Sequence, residues 1–483
     1  MVFSSLIFLF LFLPVVLGGY LLMKKTIWRN AFLLFASLLF YAWGELSFLW
    51  VMLVSIAFNY CFAILINDFR EKVWAKWILA FAVLGNLGIL AFFKYAGFIE
   101  TNLNCLLTSA NWTTIQIQNI PLPLGISFFT FHSLSYVIDV YRKQAKAQRN
   151  PINLALYISL FPQLIAGPII RYHDVCDQLT ERSVTLNKFA EGVRRFVSGL
   201  GKKVLIANVL AGPADQIFGL PAGQLTVGLS WLGIICYTLQ IYFDFSGYSD
   251  MAIGLGLMFG FRFLENFNFP YISQSIREFW QRWHISLSNW FRDYLYIPLG
   301  GNKCSDLRVT FNLLTVFFLC GLWHGASWNF IVWGLYHGSF LGLERSGLSA
   351  FLNRLPGIFR HLYVLLTVMI GWVLFRADTL PQALSYLSTM FGLAPGGVGY
   401  YTVGIILNRE VAFIMACGII GCTPLLKNLL LNADPAQISL RMRNLLTPQV
   451  VATLRVAFMA TVMSLSVMEM ASGTYNPFIY FRF

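Results

Sequence analysis

His324 stands near the middle of a stretch, Thr310 to Leu343, that contains no Asp, Glu, Lys or Arg. An ionisable side chain in such surroundings is costly to bury unless its hydrogen bonds are met, so it is a functional candidate by default. Imidazole suits proton transfer because its ordinary pKa of about 6.5 leaves it neutral yet basic at pH 7. His337 follows in LYHGSF. On one continuous helix it would be rotated roughly 220° from His324, so the two would not share a face. Gly325 permits a bend or a close backbone approach beside His324. Residue type alone leaves His324 open between a general base and a core histidine with satisfied hydrogen bonds.

A second candidate, His284, lies in RFLENFNFPYISQSIREFWQRWHISLSNWFRDYLYIPLGGNKCSDLR at 262–308, where charges and aromatics alternate. At about 100° per residue from Ile276, the residues Phe279, Trp280, Trp283, Leu287, Trp290, Phe291 and Tyr294 fall within one arc of roughly 120°. Arg277, Glu278, Gln281, Arg282, Arg292 and Asp293 lie off it. This predicts an amphipathic helix along the membrane surface or packed against a bundle. His284 falls roughly 20° beyond the apolar arc. It is either a boundary residue of an interfacial anchor or a group aimed into a site. Trp283, Trp290, Trp323 and Trp328 read first as packing and interfacial residues, with the lining of a path as the alternative.

Other signals are weaker. His132, His173 and His361 carry no supporting pattern, and Asp139, Asp244 and Asp250 read first as polar glue between helices, with site residues as the alternative. SGLGKK at 198–203 and GLGLMFG at 254–260 lack phosphate-loop and dinucleotide spacing. No G-x-S-x-G or H-E-x-x-H occurs. The eight cysteines form no C-x-x-C pair and no zinc spacing with histidine. They read as small buried hydrophobes, and no metal site is expected.

The elements that position these residues must be membrane helices. Of 483 residues, 58% are hydrophobic and 11% charged, against about 25% charged in a soluble domain. That excludes an ordinary soluble enzyme. The formal charge of +13 reads as basic cytoplasmic loops rather than nucleic-acid binding.

The first apolar run has no basic n-region or small-residue cleavage site, so it reads as a span rather than a cleaved signal. Lys24, Lys25 and Arg29 after it predict an outside N-terminus. Basic clusters at Arg70/Lys72/Lys76, Arg142/Lys143/Lys146/Arg149, Arg194/Arg195/Lys202/Lys203, 262–308 and Arg441/Arg443/Arg455 would then mark further inside loops. Two apolar runs, 31–43 and 46–66, separate the first pair of clusters, and two more, near 77–97 and 122–140, the next. Between Arg149 and Arg194 only 151–170 is available, and Pro162, Gly167 and Pro168 interrupt it. It is expected to enter the membrane and return, its backbone satisfied by protein or water. Cysteine labelling at Leu154 and Ile169 would test that. Later runs include 204–223, 224–243 and 246–260. The fold class is an all-α polytopic membrane protein of roughly ten to thirteen spanning or partly inserted helices, in a single domain over 1–483 without internal repeats.

The chain resembles the membrane-bound O-acyltransferases, most of all their alginate O-acetyltransferase-like branch. The resembling stretches are LPLGISFFTFHSLSYVIDVYR (122–142), YFDFSGYSDMAIGLGLMFGF (242–261), ENFNFPYISQSIREFWQRWHISLSNWFRDYLYIPLGGNK (265–303), GLWHGASWNFIVWGLYHG (321–338), GWVLFRADTLPQALSYL (371–387) and NPFIYFRF (476–483). The resemblance implies a ring of helices around a central channel, with a catalytic core at about 120–345 and peripheral helices at 1–119 and 346–483. It places the family's invariant histidine on His324 and the second polar site residue on His284. Where family members carry Gln or Arg after the Phe of the F-x-F motif, this chain has His132, which is assigned no catalytic role.

The activity so implied is transfer of acetyl from a cytosolic thioester, acetyl-CoA or an acetyl-carrier, to an exopolysaccharide such as alginate. Another polymer, cellulose or a cell-wall glycan, and a polysaccharide or lipid transporter without acyl chemistry are the alternatives. His324 would act as general base, and His284 would position the donor or hydrogen-bond the oxyanion. Arg277, Arg282, Trp283, Trp323, Trp328 and Asn329 are the candidate substrate- and donor-binding residues, and Lys202 and Lys203 could also attract donor phosphates. No cofactor is expected to stay bound. Membrane lipids, periplasmic acetyltransferase partners and the polysaccharide acceptor are the expected partners. The bacterial inner membrane is the expected location.

Overall fold

The computed structural model describes residues 1–117, 120–394, 401–425 and 448–473. Arg441, Arg443 and the terminal NPFIYFRF lie outside the described residues. Among the described residues the structure is helical, with no strand. Six segments among the described residues are long and apolar enough to cross a membrane: Thr26–Asp68, Trp74–Ser109, Val227–Met258, Asp306–His324, Gly357–Arg376 and Ala452–Ser472. The protein is thus an all-α multi-pass membrane protein.

Thr26–Asp68 covers 43 residues, about twice what one crossing needs at 1.5 Å per residue. It divides at Glu45 (φ −144°, ψ 52°) into Thr26–Glu45 and Leu49–Asp68, the two helices expected there. The runs at 224–243 and 246–260, by contrast, are one helix of 32 residues, Val227–Met258. The carboxylates within it are neutralised in place, Asp244 by Lys203 and Asp250 by Lys202, each at 2.7 Å. A paired charge need not break a buried helix.

Val227–Met258 is the central post, buried along nearly its whole length and packed closely on Leu186–Gly201. Glycines allow the approach. A Cβ at Gly192 or Gly254 would stand 2.6 Å from the other's carbonyl oxygen, and one at Gly247 2.7 Å from that of Gly199. SGLGKK and GLGLMFG are therefore helix-packing sequences.

The 151–170 stretch forms two short helices, Pro151–Ser159 and Phe161–Leu164, broken at Leu160. Every residue from Leu156 to Ile170 is buried. The Phe161 N–H donates to Ser37 Oγ at 3.1 Å and the Ile169 N–H to Ser286 Oγ at 3.0 Å, the protein partners that broken backbone requires at membrane depth. Leu154 and Ile169 are 0% and 1% exposed, so labelling there would report on neither side.

The amphipathic stretch buries the expected face: Ile276, Phe279, Trp280, Trp283, Leu287, Trp290, Phe291 and Tyr294 are all inside. It is not one helix, however. Ile276–Arg282 and Ile285–Phe291 meet at His284, which takes a left-handed conformation (φ 45°, ψ 53°). His284 is buried rather than at the boundary. The cysteines also differ from expectation: all eight are free, but only Cys236, Cys320 and Cys422 are buried. An apolar helix face turned to lipid accommodates a thiol as readily as a core does.

Candidate active site

His324 ends the helix Asp306–His324. Gly325 is extended (φ −165°, ψ 152°), and the next helix, Trp328–Leu343, starts almost at once. Termination puts the imidazole at a helix tip rather than midway along a packed face. The ring is 7% exposed and lies among Trp323, Trp333 and Phe375, with centroids 4.8, 5.0 and 5.2 Å away. Its Nδ1 has no hydrogen-bond partner.

His284 also lies near Trp323, at 6.2 Å between rings. Asn266 holds it. The Ser286 N–H donates to Asn266 Oδ1 at 3.2 Å, which fixes that atom as the amide's acceptor, and Nδ2 donates to Ser249 Oγ at 3.0 Å. His284 Nδ1, 3.2 Å from the same Oδ1, must therefore carry the proton. In the neutral ring Nε2 keeps its lone pair, and it is buried without a partner. A neutral His284 can accept a hydrogen bond there but cannot donate one to an oxyanion. Of its two expected roles the arrangement favours positioning. Asn266 also accounts for the helix break, since its carbonyl accepts the Ile285 N–H at 3.0 Å.

His324 lines two spaces. One is a cavity of about 760 Å³ reached from the Glu45 end, bounded by Trp43, Glu45, Lys94, Phe128, Ile165 and Trp323 among others. The other, lined by Ile241, Phe245, Trp283, Trp333, Trp372 and Phe375, amounts to about 10 Å³, room for one water at most. The passage is open on one side of His324 and closed by aromatic rings on the other.

The structure thus brings together His324, His284, Trp323 and Trp283. It does not bring the other candidates to them. Trp328 is 55% exposed and donates to Asn102 Oδ1 at 3.0 Å. Asn329 donates to the Ala377 carbonyl at 2.6 Å, tying two helices together. Arg277 is exposed, and Arg282 pairs with Glu278 at 2.9 Å. Lys202 and Lys203 are committed to Asp250 and Asp244, so phosphate attraction there would have to displace an internal carboxylate. His132 is enclosed against Tyr157, and His361 lies 3.2 Å from the Ser273 carbonyl. His173 Nδ1 sits 2.9 Å from Asp139, and that hydrogen bond raises the His173 pKa above its ordinary value.

Two participants escaped the sequence reading. Asn266 carries no local signal, because its role depends on chain that returns to it 18 residues later. Lys94 does carry one: it is a lone cation inside the apolar run 77–97, and an intramembrane charge of that kind marks a site.

A buried imidazole bordering a cavity inside a helical membrane protein, with a second buried imidazole near it, is an arrangement that suits an enzyme moving protons during group transfer. Residues 92–354 match the model of the membrane-bound O-acyltransferase family. The chain is 42% identical to the probable alginate O-acetylase of Azotobacter vinelandii over 100% of both chains. It is 50% identical to that of Pseudomonas aeruginosa over 81% of this chain and 75% of the other. To the peptidoglycan O-acetyltransferase of Helicobacter pylori it is 38% identical, over 81% of this chain and 80% of the other. The chain belongs to the membrane-bound O-acyltransferase family, and it is an O-acyltransferase.

Proposed function

We propose that this protein transfers acetyl from a cytosolic thioester, acetyl-CoA or an acetyl-carrier, to hydroxyls of an exopolysaccharide such as alginate, from the bacterial inner membrane. The observation that carries the reading is that His324 lines the larger cavity, open to an acceptor, and also borders the small aromatic-walled space, so a donor arm coming from the opposite side reaches the same imidazole once those rings part. The basic clusters flanking the Thr26–Glu45 and Leu49–Asp68 helices put the Glu45 end, and the mouth of the larger cavity, outside. The relatives named for alginate support the polymer.

In this mechanism the acceptor hydroxyl gives its proton to His324 while its oxygen bonds to the thioester carbonyl carbon. The tetrahedral adduct collapses, the C–S bond breaks, and the imidazolium returns the proton to the thiolate. The products are an ester, a free thiol and neutral His324. His284, through the Nε2 lone pair, accepts an N–H of the donor arm and so positions the carbonyl. Trp283 and Trp323 flank the meeting point. A periplasmic acetyltransferase partner takes the acetyl group onward where the polymer does not enter the cavity.

The Helicobacter pylori relative favours one second reading, a cell-wall glycan as acceptor. Polymer export through the same route would need the aromatic closure to open to the width of a sugar chain, more than a thioester arm requires. Labelled-acetyl transfer by purified protein in vesicles, with alginate or peptidoglycan fragments outside, tests all three. The proposal expects label on the polysaccharide for wild type and none above background for His324→Ala. Normal labelling by that variant would remove the mechanism.

A further inference from the structure

We propose that Lys94 and Tyr95 are positioning residues for His324, an inference that rests on the base role assigned to that histidine. A helix leaves its last four carbonyls without intrahelical partners, and His324 is the final residue of its helix, so its placement depends on how those carbonyls are held. Here all four have partners. The Gly321 carbonyl accepts the Gly325 N–H at 3.2 Å, and the Leu322 carbonyl accepts the Tyr95 hydroxyl at 2.8 Å. Lys94 Nζ donates to the Trp323 carbonyl and, at 3.3 Å, to that of His324.

Three successive carbonyls are therefore capped by two adjacent side chains of another helix, Trp74–Ser109. That helix turns most of its surface outward and buries Ala75, Ala82, Asn86 and Leu90. The last three are four residues apart, and Lys94 is the next position on that stripe, which aims it at the end of the histidine helix. Its ammonium also lies 3.5 Å from Ser127 Oγ and lines the larger cavity beside His324 and Glu45. Among the described residues it forms no ion pair. Lys94 is half-buried, and an ammonium partly withdrawn from water is costly unless it is received; here the groups that receive it are the carbonyls of the helix end. A cation at that end also suits the helix dipole. The helix lies wholly within the segment counted as peripheral, 1–119, so the clamp joins that segment to the proposed base.

The test is steady-state acetyl transfer in vesicles by Lys94→Met, Lys94→Arg, Tyr95→Phe and His324→Ala, with kcat referred to folded protein. Misplacing a reacting group by about 1 Å costs up to roughly 100-fold. Lys94→Met should therefore lose kcat on that scale with the donor KM unchanged, Lys94→Arg should recover most of the loss, and Tyr95→Phe should lose less. A Lys94→Met enzyme with wild-type kcat, a loss confined to KM, or an Arg variant no better than Met would overturn the clamp. Should Lys94→Met fail to fold, Tyr95→Phe decides, since wild-type kcat there overturns the inference equally. An active His324→Ala enzyme would instead sink the base assignment itself, which separates the two failures.

Discussion

His324 and His337 come from one uncharged stretch and share a neighbour, Trp333, yet they occupy different worlds. His337 lies midway along Trp328–Leu343, 0% exposed, with Trp280, Trp333 and Tyr336 rings edge-on at 5.1, 5.3 and 5.2 Å. Neither of its ring nitrogens has a hydrogen-bond partner among the described residues. His324, with comparably apolar neighbours, borders the larger cavity. The difference lies in the backbone. A residue at a helix end is uncovered on the side where the next turn would have been, whereas a mid-helix residue is enclosed by turns above and below. Access to the cavity here follows from where a helix stops more than from how apolar the surroundings are.

The strongest way to break this contrast is to remove His324. General base catalysis contributes about 10²–10⁴-fold, and His324→Ala should lose at least that much acetyl transfer while keeping the wild-type melting temperature. Activity within a few-fold of wild type would put the two histidines back on equal terms.

A smaller loss is expected at the second histidine. His284→Ala should lower transfer about 10- to 100-fold through misplacement of the donor, with donor KM rising. Asn266→Ala, which frees the ring without removing it, should cost less than His284→Ala. An Asn266→Ala enzyme worse than His284→Ala would show that the amide serves more than the ring.

These residues also mark how far the sequence could be read. The uncharged stretch exposed His324, and Pro162, Gly167 and Pro168 exposed the broken segment, because both signals are local: a cost of burial in one case, lost hydrogen bonding in the other. The apolar arc from Ile276 foretold which side chains are buried. It did not foretell the break at His284, because a left-handed histidine has no local signature and is imposed by Asn266 from a distant loop. The single helix Val227–Met258 was illegible for the same reason, its carboxylates being answered by Lys202 and Lys203 of another element. Trp328 looked like part of the site through proximity in sequence to His324, but the chain reverses at Gly325 and carries it to the surface.

Removing His337 sharpens the comparison from its quiet side. An enclosed ring without hydrogen-bond partners costs about 1–3 kcal/mol of desolvation, while an apolar side chain of similar volume introduces less than about 1.5 kcal/mol of strain. His337→Met should therefore leave transfer unchanged and hold or raise the melting temperature. A large loss of kcat would mean that His337 communicates with the cavity.

The smallest effect comes from a third setting, a histidine with a charged partner. The hydrogen bond to the Asp139 carboxylate raises the His173 pKa, so the folded state holds that proton more tightly than the unfolded chain, where the pKa is about 6.5. The sign follows from linkage: the contribution is complete below the unfolded pKa and is lost as pH rises through the higher folded value. Thermal stability should decline modestly as pH is taken upward from about 6, and the decline should flatten in His173→Gln, which keeps a donor toward Asp139 without titrating. Melting curves of the two proteins across that range make the measurement. A wild-type slope that survives in His173→Gln would place the titrating group elsewhere. A slope that disappears would show that charge pairing gives a histidine its pH sensitivity here, just as helix termination gives one its access to substrate.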